Sequence, residues 1–570
     1  MVTAVISMTE SIISIWYRAF MGRRTGIISS AVYHALPAGS KLKRCSTPIL
    51  TLANDFGRMR SMRAREIMLM LVGAVAMLPQ SLVANVEMPQ ASDCGLAQEV
   101  SPRDRRMQWW REARLGMFVH YGLYSGLAGV YQGNRAGGEW IQCNVGADTD
   151  SYAAEALPLF KPEPGWPEKW VDLAKEAGCR YAVFTSKHHE GFAMFDTATS
   201  DYNSVKVAGR DFAKEFADAC RSRGLRVGFY HSVIDWHHPD YDNTICPDLC
   251  YPKGQALMLQ EKGIPRNQDS YCKYLHSQVR ELMTQYGPVD VMWWDYSQGA
   301  AEGDRAWKAT ELVKMCREIN PDVIMNNRLF NAYSLEGQKP EEFGSEEVRG
   351  DFYTPEKCVP AGQDTVHDWE TCLTVGHHWG YSINDGNFKS PSKVIQTLQE
   401  CVSKGGNLLL NIGPRVDGSI PEHTVEVFRR LGEWMKVNGE SIYGSKPVLG
   451  AEQVEDVWMT MVWDDVYVFL PPMVEEEPAA SGETTTAAEE EANAEPEAAE
   501  DEYYVLRFPG SMFDAIAPQI LGQPDCRVEM RRVEEPGEDE PSVFLELRIP
   551  YSAWDNAVEG LPVLKLVYNG

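Results

Sequence analysis

Two carboxylates stand out for the residues around them. Asp295 closes the run Met292-Trp-Trp-Asp295, and Glu356 ends the segment Gly350-Asp-Phe-Tyr-Thr-Pro-Glu356. A carboxylate at a strand end walled by aromatics serves as a nucleophile, a metal ligand or a structural cap. Two of them on a Trp-lined mouth are what cleavage of a glycosidic bond requires. One attacks the anomeric carbon or activates water, and the other protonates the leaving oxygen. The 16 Trp and 24 Tyr of the chain suit stacking against sugar rings.

The histidines offer a competing chemistry. His188 and His189, with Glu190 and Asp196, carry the donor types of a metal site. Neighbours in a strand point to opposite faces, however, so the pair chelates one ion poorly unless the strand has ended. Metal catalysis is the minor reading, and no metal site is assigned. His237 and His238, in Asp235-Trp-His-His-Pro-Asp-Tyr241, belong to a loop at the rim or surface. No GxSxG elbow and no Cys–His arrangement speaks for acyl transfer, and no CxxC pairing speaks for zinc.

Charge narrows the classes further. The 570 residues include 81 acidic and 54 basic side chains, a net charge of −27. That balance argues against a nucleic-acid partner, which needs clustered Lys and Arg. No apolar run reaches the roughly 18 residues of a membrane span, so membrane insertion is not expected. Residues 1–68 nevertheless contribute +7. Arg58, Arg60, Arg63 and Arg65 flank an apolar stretch from Ile67 to Leu78, and Ser81-Leu-Val-Ala84 supplies a small-residue cleavage site. This reads as a secretory signal ending near Ala84 and starting at Met59, Met62 or Met68, with residues 1–84 removed. A secreted or periplasmic chain of charge −34 would remain. At the other end, Val474 to Glu502 holds 12 acidic residues and no basic one, which predicts a disordered insertion between two β runs. Of the 13 Cys, Cys45 precedes the signal and 12 follow it. Export permits disulfides, and Cys246 with Cys250 is the favoured local pair. Cys143, Cys179, Cys220, Cys316 and Cys401 fit buried free thiols at least as well.

The elements that must position these groups repeat one rhythm between residues 110 and 415. Short apolar runs end in polar residues: 115–120, 181–187, 227–232, 289–295, 323–328 and 408–413. Amphipathic stretches lie between, at 166–177, 211–223 and 268–286, each followed by a glycine placed to cap it. Alternation of this kind implies a parallel sheet, either doubly wound or a barrel. A doubly wound sheet binding a dinucleotide would show a glycine-rich phosphate loop after its first strand, and none is present. The strand ends carry His120, His188 and His189, Tyr230 and His231, Asp295, Arg328 and Asn411. Such convergence of polar ends is expected of a (β/α)8-like, TIM-type barrel. Beyond residue 443, alternating β runs broken by Pro and Gly predict a C-terminal β-sandwich. The expected division is 1–84 leader, 95–445 barrel and 446–570 sandwich, with the insertion at 474–502.

Several segments together resemble the α-L-fucosidases of glycoside hydrolase family 29. They are Ala113–Tyr124, Gly138-Glu-Trp140, Lys187-His-His-Glu-Gly-Phe192, Asp235–Tyr241 and Trp293-Trp-Asp295. In the same order follow Asn326-Asn-Arg328, Thr354-Pro-Glu356, Trp369-Glu370 and Ser403–Pro414. The resemblance implies a retaining, exo-acting α-L-fucosidase that works without a cofactor on a fucosylated oligosaccharide or polysaccharide. By position Asp295 resembles the nucleophile and Glu356 the acid/base, with Glu370 as competitor for the second role. His120, Glu139, Trp140, His188, His189 and Arg328 match positions that hold the sugar. Phe118 and Trp293 match an apolar wall for the C5 methyl, which Tyr230 or Trp379 completes. Two other functions stay open: a fucose- or glycan-binding protein that has lost turnover, and a glycosidase shifted toward a galactose-like sugar. A homo-oligomer is compatible with the sequence. The family's KHHDGF is KHHEGF here, the insertion Cys246–Cys250 is an addition, and linkage preference would lie in rim loops 129–150, 237–265 and 330–362.

Overall fold

A computed structural model describes residues 100–245, 250–297, 303–330, 350–363, 367–448, 457–473, 503–509, 516–536 and 542–568. The expected leader, Cys45, Cys246 and the acidic insertion at 474–502 lie outside the described residues.

The strands in chain order begin with β1 (Leu115–Val119) and a short hairpin of β2 (Val130–Tyr131) and β3 (Asn134–Arg135). There follow β4 (Tyr181–Lys187), β5 (Arg226–Ser232), β6 (Val291–Asp295), β7 (Ile324–Met325), β8 (Glu370–Thr374) and β9 (Asn407–Ile412). Seven of them form one parallel sheet in the order β7-β6-β5-β4-β1-β9-β8. Nearly every residue of these strands is buried, as a parallel sheet covered on both faces demands. Fully burying a side chain such as Leu408, Leu410 or Ile412 is worth about 1.5–3 kcal/mol.

The predicted helices appear at Trp166–Glu176, Phe212–Ser222 and Gln268–Gln285. Their buried residues recur at helical spacing: Trp170, Val171 and Ala174 in the first, Phe212, Phe216 and Cys220 in the second. Asp211 and Asn267 cap the latter two with side-chain oxygens. Gly178 and Gly224 follow at φ +91° and +72°, the left-handed turn that ends a helix at little cost only for glycine.

Between the edges β7 and β8 lie the described residues 350–363. Isolated parallel bridges pair Asn326 with Phe352, Tyr353 with Trp369 and Glu356 with Cys372. Residues 350–357 thus stand as an eighth stave, which carries Glu356. Buried Asp351 fastens it, accepting from Arg106 at 2.9 Å, from Met325 N at 2.8 Å and from Arg317. Two expectations change here. The run expected at 323–328 is a strand only at Ile324–Met325, because Asn326 turns out to bridge the stave. Glu370, the competitor of Glu356 for the acid/base role, is the first residue of β8, a strand not anticipated because Glu-Thr-Cys-Leu-Thr lacks an apolar run.

After the barrel come β10 (Lys446–Pro447), β11 (Trp458–Val462), β12 (Asp465–Phe469), β13 (Tyr503–Pro509), β14 (Ile516–Ile520), β15 (Glu529–Glu535), β16 (Ser542–Pro550) and β17 (Val563–Tyr568). They form a five-stranded sheet, β10-β11-β12-β17-β14, and a three-stranded sheet, β13-β16-β15. Val468, Leu564 and Leu566 of the first meet Leu506, Phe508, Leu547 and Ile549 of the second in one core. The alternate residues Tyr467, Phe469 and Val563 point the other way, into the barrel's core. Trp434 seals that seam by donating its indole N–H to Leu561 O at 2.9 Å.

The cysteines require a correction. Cys250 is bonded to Cys143, 107 residues earlier, instead of to Cys246, and Cys143 is therefore no free thiol. Their Cα atoms stand 6.6 Å apart, a normal disulfide span. Spacing favoured the local pair; folding brought the rim loop after β1 to the loop after β5. Cys179, Cys220, Cys316 and Cys401 are buried free thiols.

Candidate active site

The C-terminal ends of the barrel strands surround a cavity of about 270 Å³. Asp295, the last residue of β6, faces into it with both carboxylate oxygens engaged. Arg328 Nη1 donates to Oδ1 at 2.6 Å and the Tyr230 hydroxyl to Oδ2 at 2.7 Å. The other terminal nitrogen of Arg328 reaches Glu356 Oε2 at 3.1 Å, so one guanidinium serves both carboxylates. Arg328 is fixed in turn by Thr354, to whose Oγ1 its Nε donates at 2.7 Å, and its guanidinium lies over the Trp293 ring at 4.5 Å. Glu356 Oε1 accepts from the Trp379 indole at 3.2 Å. The Glu356 side chain is 42% exposed against 13% for Asp295, so only Glu356 meets solvent broadly.

Three imidazoles line the same space. Burial drives all of them away from protonation: His120 falls to about 4, His189 to about 3, and His188 well below its ordinary value. They are therefore neutral near pH 7. Asn411 donates its amide to Trp379 O at 2.8 Å, which turns its Oδ1 toward His120 Nδ1 at 2.7 Å. His120 Nδ1 must donate there, leaving Nε2 as an acceptor. Ser232 donates to Ile234 O at 2.7 Å and accepts from His189 Nδ1 at 2.7 Å. His189 Nε2 is then an acceptor as well, 3.7 Å from Asp295 Oδ2, and that approach is no ion pair. His188 Nδ1 is buried and finds no hydrogen-bond partner among the described residues.

The adjacent histidines face one cavity because β4 ends at Lys187, so the alternation of a strand no longer applies. The suspected metal set still disperses. Glu190 turns away, accepting from Leu123 N at 2.8 Å and from the Tyr152 hydroxyl, while Asp196 sits outside on the surface. Among the described residues no three His, Cys, Asp or Glu converge as metal ligands would.

Aromatic rings make the remaining wall. Phe118 stands 5.0 Å from Trp293, 5.9 Å from Tyr230 and 5.9 Å from Trp379, an apolar corner of four rings. Trp379 also stacks on His120 at 5.0 Å. Trp140 closes the opposite side, edge-on to His189 at 5.1 Å and to Trp236 at 5.5 Å.

Two of the expected residues do not reach the cavity. Glu139 spends Oε2 on the backbone amides of Trp379 (3.0 Å) and Gly380 (2.8 Å), so it holds the wall instead of lining it. Glu370 lies at the opposite, N-terminal end of the strands beneath Trp293. It accepts from the indoles of Trp110 and Trp293 at 3.3 Å each and from the Tyr181 hydroxyl. Conversely, Tyr296 and Cys372 line the cavity without having been singled out. Tyr296 adopts φ +73°, uncommon for a bulky residue, directly after Asp295. Its adjacency to Asp295 was the available signal. Cys372 offered none, since it reaches the site only through the stave's pairing with β8.

A family model of α-L-fucosidases matches residues 82–440. The tissue α-L-fucosidase of Rattus norvegicus is 31% identical over 385 residues, covering 63% of this chain and 75% of that protein. The tissue α-L-fucosidase of Homo sapiens is 30% identical over 388 residues, covering 64% and 75%. Among solved structures, α-L-fucosidase isoenzyme 1 from Paenibacillus thiaminolyticus aligns with a TM-score of 0.66 at 32% identity, covering 82% of this chain and all of that one.

Proposed function

The chain belongs to the α-L-fucosidase family of glycoside hydrolases, and from that premise we propose a retaining, exo-acting enzyme that releases terminal α-L-fucose with Asp295 as nucleophile and Glu356 as acid/base. The observation that carries this reading is the shared Arg328, whose two terminal nitrogens bind Asp295 and Glu356. A retaining pair stands about 5–5.5 Å apart, whereas an inverting pair opens to roughly 6.5–9.5 Å for a water between them. One guanidinium brings both carboxylates to the same cavity, and the proposed reading expects them at the closer spacing.

Fucose enters with its C5 methyl in the corner of Phe118 and Trp293, and its hydroxyls meet the neutral His120, His188 and His189. Asp295 attacks the anomeric carbon while Glu356 donates its proton to the departing oxygen. A glycosyl ester forms on Asp295 as the aglycone leaves. Glu356, now a carboxylate, takes a proton from water, which breaks the ester and frees fucose with its configuration kept. Arg328 and Tyr230 hold Asp295 aligned through both steps. Glu370 has the carboxyl that burial pushes up to about 7, a value fitting for a general acid. Geometry precedes pKa, however, and Glu370 touches neither cavity nor solvent.

The same reading extends to export. The Cys143–Cys250 disulfide suits an oxidising compartment, in keeping with the basic, apolar and small-residue run that ends near Ala84. No described helix is long and apolar enough to cross a membrane.

The test is the anomer first released from an aryl α-L-fucoside, followed by proton NMR before mutarotation. α-L-Fucose as first product supports retention, and β-L-fucose overturns it. Fucose that binds without any hydrolysis would instead favour a glycan-binding protein.

A further inference from the structure

Trp140 forms one side of the cavity mouth, and on its own side of the rim its neighbour Glu139 is fastened to the amides of Trp379 and Gly380. Trp140 precedes a helix of only five residues, Ile141–Val145. A second anchor for that segment lies across the rim. Cys143 is bonded to Cys250, in the loop that follows β5. Around the link, Gly254 N donates to Gly146 O at 2.8 Å and Thr149 N to Gln255 Oε1 at 2.9 Å. Cys250 O accepts the indole N–H of Trp236 at 3.2 Å. Trp236 packs in turn on Trp140 at 5.5 Å and on His189 at 5.4 Å. The circuit Trp140, Cys143, Cys250, Trp236 closes on itself, and Trp140 is its member that lines the cavity.

We propose that Cys143 and Cys250 are positioning residues for substrate: their bond ties two rim loops together and so holds Trp140 and Trp236 against His189. Neither cysteine touches the reacting atoms. Asp295, Glu356 and Arg328 sit on β6, the stave and the turn after β7, which the bond does not tether. Losing it therefore weakens capture of the sugar while leaving the chemical step alone. This inference rests on the fucosidase reading for the identity of what is captured.

The experiment compares KM and kcat for an aryl α-L-fucoside in the wild type, the wild type treated with dithiothreitol, and the double variant Cys143→Ser/Cys250→Ser. Dithiothreitol gives two electrons and two protons to the S–S bond, yielding two thiols and its own cyclic disulfide. The expected result is a KM raised about three- to tenfold on reduction, the range of a lost aromatic contact. A similar rise is expected in the double variant, with kcat changed less than about twofold in both. Reductant should no longer move KM in the double variant. A scaffold-only bond would instead lower apparent kcat with the folded fraction and leave KM in place, which overturns the proposal. If the double variant does not fold, the reduced wild type decides alone, and an unchanged KM there overturns it. A wild type that hydrolyses no aryl fucoside overturns the fucosidase reading and this inference with it.

Discussion

Trp379 donates its indole N–H to Glu356 Oε1 at 3.2 Å, and the backbone amide of the same tryptophan donates to Glu139 at 3.0 Å. The residue that walls the cavity thereby also orients the proposed acid. Removing the carboxyl in Glu356→Gln should lower kcat by about 10²–10⁴ on a substrate whose leaving group needs a proton. An aryl fucoside with an acidic phenol needs little help in the first step, so there the glycosyl-enzyme should accumulate as a burst. Stopped-flow measurement on both substrates checks this; an equal loss of the first step on each would contradict it.

Glu370 gives a prediction about stability. Burial raises its carboxyl from the ordinary 4.5 to about 7. The folded chain therefore holds a proton between those values that the unfolded chain has released. The stabilisation is complete below about pH 4.5 and is lost as pH rises through about 7, on the order of 3 kcal/mol in all. Glu370→Gln keeps a neutral group in place, so its stability in urea should lack this decline between pH 4.5 and 7. A variant with the same decline as the wild type would place the effect elsewhere.

In the proposed reading the apolar corner of Phe118, Trp293, Tyr230 and Trp379 receives the C5 methyl and so sets the sugar preference. L-Galactose differs from L-fucose by a hydroxyl on the C5 methyl. An apolar pocket rejects an added hydroxyl only by about 10²-fold. An aryl α-L-galactoside should therefore be cleaved with kcat/KM lower by about that factor. Equal rates on both sugars would show that the methyl does not meet these rings.

Much of this site was legible in the sequence because a barrel strand advertises its useful end. Apolar runs finishing in His120, Tyr230 and Asp295 are buried along their length and polar only where they leave the core. Glu356 was legible as a loop carboxylate after the strand that ends near Arg328, but the stave that carries it was not, since residues 350–357 form isolated bridges without a strand's pattern. Glu139 and Glu370 were read as touching sugar or reaction, yet tertiary hydrogen bonds turn one onto backbone amides and bury the other under Trp293. The partner of Cys250 was out of reach for a similar reason. Local spacing carries no information on a contact 107 residues away.

Asp295 is proposed to form the covalent bond to fucose, and Asp295→Gly with added azide is the experiment that decides it. A loss of about 10³-fold or more in kcat on an aryl α-L-fucoside is expected. Azide, entering the space the carboxylate vacates, should restore turnover and yield β-L-fucosyl azide. A near-normal rate without azide, or no recovery and no β-azide with it, would contradict the assignment.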